Sequence, residues 1–107
     1  MPRTKNPPPT LEQALHILRA QLPALRERYG VKTLSVFGSY VRGEQKKRSD
    51  LDILVELDDQ DNPLSLLEFI ALKNHLSDLL QVKVDLVERS TLKPAIGKHI
   101  LEEVIPV

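Results

Sequence analysis

Leucines at positions 11, 15, 18, 22 and 25 recur at steps of four and three, which marks one face of a helix. Thr10 followed by Gln13 forms a capping-box pattern at its start, and Gly30 is placed to end it. Pro23 lies inside this pattern and is expected to kink or split the helix near Leu22. VKTLSVF, residues 31–37, then has the β-branched and aromatic content of a strand, broken by Gly38 and Ser39. Residues 40–43 can hold only a short helical turn, and residues 44–49 form a polar loop. Leu51, Ile53, Val55 and Leu57 alternate with Asp52, Leu54 and Glu56, the period of a strand with one buried face. An acidic turn over residues 58–62 follows, with Asn62 as N-cap and Pro63 opening a helix. Leu66, Phe69, Ile70, Leu76, Leu79 and Leu80 mark the apolar side of that helix, which reaches about Gln81. A third strand over residues 82–88 puts Val82, Val84 and Leu86 on one face and Lys83, Asp85 and Val87 on the other. A last helix runs from about Pro94 to Val104, and the three residues after it are too few to classify.

The predicted order is helix, strand, strand, helix, strand, helix. It reads as α/β: a small mixed β-sheet with helices packed on one face and an open face on the other. With 107 residues there is room for one core but hardly for two, so residues 10–107 are expected to form a single domain. Residues 1–9 hold four of the eight prolines and almost nothing to bury, and read as a flexible tail. Fifteen basic against fifteen acidic residues leave a formal net charge of +0, so no global basic field favours direct nucleic-acid binding. Cysteine is absent, which removes disulfides and thiolate metal sites. No apolar run approaches the ~20 residues of a membrane span. A soluble cytoplasmic protein without membrane contact is the expectation.

Chemistry gathers on the open face. Asp50 and Asp52 are two residues apart on a strand, so their side chains leave from the same face with Cα atoms roughly 6.5 to 7 Å apart. Asp85 has the same phase on the next strand. If those strands are neighbours, three carboxylates converge, and their mutual repulsion calls for a cation. Mg²⁺ suits an all-oxygen site, and two such ions would serve a phosphoryl or nucleotidyl transfer. Gly38 lets the backbone approach a ligand, Ser39 adds a hydroxyl, and Arg42 could add a forked donor for phosphate. Lys46, Lys47 and Arg48 lie between this turn and the acids, where they could balance polyphosphate charge. Taken singly each piece has an ordinary structural reading: a turn, a strand cap, a solvated loop. Together they are less ordinary, because the pattern G-S-x10-D-x-D arises by chance in roughly one chain per thousand of this length at average residue usage. His16, His75 and His99 have no metal-binding spacing, and Glu56 reads as a surface residue.

Gly38, Ser39, Arg42, Gly43, Asp50 and Asp52 resemble the signature of the polymerase β-type nucleotidyltransferases, and VKVDLVE resembles their third-acid strand. In length and layout the chain is most similar to the minimal nucleotidyltransferase (MNT) antitoxins that pair with helical HEPN ribonuclease toxins. That resemblance implies the polymerase β-like nucleotidyltransferase fold, ATP as substrate, Mg²⁺ as cofactor, and transfer of AMP to a tyrosine of a HEPN toxin. It also implies Asp50, Asp52 and Asp85 as catalytic metal ligands and Gly38 and Ser39 at the nucleotide phosphates, with Arg42 nearby. A module that inhibits its partner by binding alone, or a small transferase acting on a free small molecule, would be the alternatives.

Overall fold

In the computed structural model, which describes residues 8–46, 49–57 and 64–107, the first helix runs unbroken as α1, Leu11–Tyr29. Its capping box forms as the sequence suggests: Thr10 Oγ1 accepts from the Gln13 N–H at 3.1 Å, and the Thr10 N–H donates to Gln13 Oε1 at 2.9 Å. Gly30 closes it in the left-handed conformation, φ 69°, donating its N–H to the Arg26 carbonyl. The expected split at Pro23 does not occur. Pro23 and Arg19 both face solvent, so the carbonyl that loses its donor there is open to water rather than stranded in the core.

Strand β1, Val31–Phe37, leads through the four-residue helix α2, Ser39–Arg42, to β2, Leu51–Leu57. Helix α3, Leu66–Leu80, connects to β3, Val84–Glu88, and α4, Pro94–Glu103, ends in β4, Ile105–Pro106. The start of α3 differs from the expectation. Its N-cap is Ser65, in a reciprocal capping box with Glu68 that satisfies two backbone donors at once. The acidic turn, Asn62 and Pro63 lie outside the described residues. Its buried stripe differs in part: Leu76 and Leu80 are buried as expected and Leu72 joins them, all at most 1% exposed, whereas Leu66 is 74% and Ile70 42% exposed. The first turn of α3 therefore projects beyond the core, and Phe69 and Leu79 pack only at its margin.

Among the described residues the sheet has four strands in the order β3-β2-β1-β4. β1 pairs antiparallel with β2 and with β4, and β2 pairs parallel with β3. β4 escaped the sequence reading because two residues carry no period, yet it pairs with Ser35 and Val36, and the Val107 N–H bonds the Leu34 carbonyl. A register shift between Val31 and Thr33 lets Val31, Leu34 and Val36 all reach one core despite their mixed parity. There they meet Leu18 and Leu25 of α1, Ile53 and Val55 of β2, and Val84 of β3. No polar or charged residue is buried among those described.

On the opposite face lie Phe37, Asp52, Leu54 and Asp85. The chain must travel from β3 at one edge to β4 at the other, and α4 makes that passage. Its last residue, Glu103, reaches the end of β1.

Candidate active site

The site begins where β1 stops. Gly38 adopts φ 81°, ψ −151°, a conformation that L side chains rarely take. Sterics demand glycine as well: a Cβ at this position would stand 2.0 Å from Asp52 Oδ2 and 2.9 Å from its Cγ. Asp52 thus lies directly against the turn, as the pairing of Phe37 with Asp52 across β1 and β2 requires. After Gly38, Tyr40 inserts into the core, 3% exposed, and anchors α2; burial pushes its hydroxyl pKa up. Ser39 opens α2 beside it and is half-buried.

The parallel ladder sets Asp52 directly opposite Asp85, on strands about 4.8 Å apart. Asp50 precedes β2 by one residue and is half-buried, and Asp85 is exposed at the rim. Desolvation first, then the charges of Asp85 and Asp50, push the Asp52 carboxyl up to about 6. Arg42 pulls the other way, and Glu103 adds a smaller upward push. The three acids expected on this face are therefore brought to one end of the sheet, centred on Asp52.

Arg42 does not stand free in the turn. Its Nη1 donates to both carboxylate oxygens of Glu103, at 3.2 and 3.1 Å, and its Nε donates to Glu44. These hydrogen bonds, to Glu44 and then Glu103, raise its pKa further. Glu103 also accepts the Gly38 N–H through Oε1 at 3.0 Å. Sequence reading missed Glu103, since a glutamate at the end of an amphipathic helix carries no signal until the path of α4 is known. Lys46 is exposed, while Lys47 and Arg48 lie outside the described residues. Glu56 accepts from Thr33 Oγ1 and pairs with Arg89 at 3.4 Å, away from the acids.

Among the described residues, no three Asp, Glu or His side chains are drawn together tightly enough to hold a metal ion as they stand. The chemistry of the donors nonetheless fits a hard dication. Every candidate ligand is a carboxylate oxygen, and the carboxyl at the centre is held above its ordinary range by burial and by two like charges, a penalty that a cation would reverse.

Comparison with known proteins identifies the family and the fold. A family model described as nucleotidyltransferase domain matches residues 18–107. Protein adenylyltransferase MntA of Thermococcus cleftensis is 51% identical over 98 residues, 92% of this chain and 96% of that protein. A solved structure provisionally assigned as a minimal nucleotidyltransferase superposes with a TM-score of 0.71 at 38% identity, covering 87% of this chain and 92% of the other. The fold is also shared, at 19% identity and a TM-score of 0.61, by a chain from a complex of tri-AMPylated Shewanella oneidensis HEPN toxin with MNT antitoxin, over 87% of this chain and 70% of that one. Among the described residues, no helix is long and apolar enough to cross a membrane.

Proposed function

The chain belongs to the minimal nucleotidyltransferase family of the polymerase β-like superfamily, and from that premise we propose that it is a protein adenylyltransferase acting as an antitoxin. The substrate is ATP, and the acceptor is a tyrosine hydroxyl of a cognate HEPN ribonuclease toxin, which the modification neutralises. The observation that carries this reading is the register pair Asp52 and Asp85 beside the glycine turn at Gly38, where two carboxylates lie next to a backbone that a phosphate can approach closely. Support for the acceptor comes from the T. cleftensis relative, named a protein adenylyltransferase, and from the modified toxin in the S. oneidensis complex.

In the reaction, the tyrosine oxygen forms a bond to the α-phosphorus, the bond from that phosphorus to the bridging oxygen breaks, and pyrophosphate leaves. Asp50, Asp52 and Asp85 would hold Mg²⁺, which when bound neutralises charge on the phosphates and on the departing pyrophosphate. The Gly38 N–H and the Ser39 hydroxyl contact phosphate oxygens, and the Arg42 guanidinium adds a charged donor beside them. Asp85, exposed at the rim and so open to a protein acceptor, would take up the proton of the attacking hydroxyl. Residues 10–107 constitute the catalytic domain. Such catalysis depends on positioning and charge stabilisation.

The test is intact mass measurement of a cognate HEPN toxin after incubation with this chain, ATP and Mg²⁺. A gain of one or more AMP units is expected. An unmodified toxin that is still inhibited would replace transfer with inhibition by binding.

A further inference from the structure

One carboxylate of the site has no part in the proposed transfer and sits where a substrate group belongs. Glu103 receives the Gly38 N–H and the Arg42 guanidinium, a backbone donor and a charged planar donor converging on one anion. A phosphate offers those donors the same features, negative charge and adjacent acceptor oxygens. We infer that Glu103 is an internal stand-in for the nucleotide's phosphate, filling the Gly38 and Arg42 seat in the nucleotide-free protein and swinging out when polyphosphate arrives. It thereby sets the affinity for nucleotide. This inference rests on the adenylyltransferase reading of the site.

Three further observations bear on it. Arg42 also pairs with Glu44, so it keeps an acidic partner when Glu103 leaves. Gly38 is buried, and its N–H needs an acceptor in every state of the protein, which a phosphate oxygen supplies in place of the carboxylate. Release requires little motion. The residues after Glu103 are tied to β1 through Val36–Ile105 and Ser35–Pro106, while the Glu103 side chain is 29% exposed and can rotate outward without disturbing the sheet.

The experiment measures binding of inorganic tripolyphosphate, and separately of ATP with Mg²⁺, to the full chain by calorimetry without any partner protein. If the latched form prevails by about tenfold, Glu103→Ala binds both probes roughly tenfold more tightly than the parent, since the competing anion lowers the binding-competent fraction. Glu103→Gln, which keeps an acceptor for Gly38 but loses the charge, gives an intermediate gain. Glu102→Ala removes a neighbouring exposed charge and leaves both affinities unchanged. Thermal melts establish that each variant is folded, and Glu103→Gln decides the question should the alanine variant be unstable. Equal or weaker binding by the folded Glu103 variants, with the parent binding ATP, overturns the inference alone. An equal gain from Glu102→Ala overturns it too, by tracing the effect to overall charge. Failure of parent and variants alike to bind either probe overturns the inference together with the nucleotidyltransferase reading.

Discussion

Asp52 occupies the space that a side chain on residue 38 would need, with its Oδ2 atom 2.0 Å from where a Cβ on Gly38 would lie. The glycine turn and the central acid are thus one steric unit. Gly38→Ala has to adopt φ 81° with a Cβ and displace Asp52 as well. A loss of about 2 to 4 kcal/mol in urea unfolding is expected, within the range of strained and overpacked substitutions. AMP transfer by the folded fraction should fall at least tenfold, measured by mass gain on the toxin.

Asp50→Ala and Asp52→Ala are each expected to reduce transfer by at least about a hundredfold while leaving the circular dichroism spectrum of the parent, because the change removes charge from a site and nothing from the core. Chelation of divalent ions should have the same effect on the parent and be reversed by added Mg²⁺. Full transfer by either variant, or by the chelated parent, would remove the metal-carboxylate mechanism.

Stability should move the opposite way at Asp52. Its carboxyl is held at about 6 in the fold against 3.8 for the free side chain, so the folded state keeps its proton to higher pH than the unfolded state does. A raised pKa contributes stability below about pH 4 that is lost as pH climbs through about 6. Asp52→Asn carries no such charge. In chelator, urea unfolding should find it more stable than the parent at pH 8 by about 1 to 2 kcal/mol, after discounting for solvent screening, with the difference shrinking toward pH 4. A gain independent of pH would show that the charge is not its source.

The two ends of α3 should respond differently to truncation. Leu72→Ala or Leu76→Ala empties a fully buried site and should cost about 2 to 5 kcal/mol. Leu66→Ala, at a side chain 74% exposed, should cost less than about 0.5 kcal/mol. Urea unfolding of the three variants checks the ordering.

Where local chemistry decides, the sequence was enough. Thr10 and Gln13 cap α1 by their own spacing, and β1 spans Val31–Phe37 as its residue types suggest. Period two placed Asp52 and Asp85 in a common phase, and the ladder made them neighbours. What could not be read depends on distant parts of the chain. Ser65 rather than Asn62 caps α3, and Leu72 rather than Leu66 is buried, because the extent of the core decides which turns of the helix are covered. β4 exists only through its pairing with β1, and Glu103 enters the site only because α4 crosses to that edge.

The parallel pairing of β2 with β3 has a consequence for how this site can vary. Asp52 meets Asp85 only while Leu51 pairs with Val84 and Ile53 with Leu86, and these four side chains are at most 7% exposed. Slippage by one residue would turn Val84 and Leu86 away from the core, and slippage by two would carry Asp85 about 6.6 Å along the strand. The greasy side of the sheet thus serves as an alignment jig for the acidic side: the spacing of the carboxylates is gauged by leucine, isoleucine and valine on the buried face.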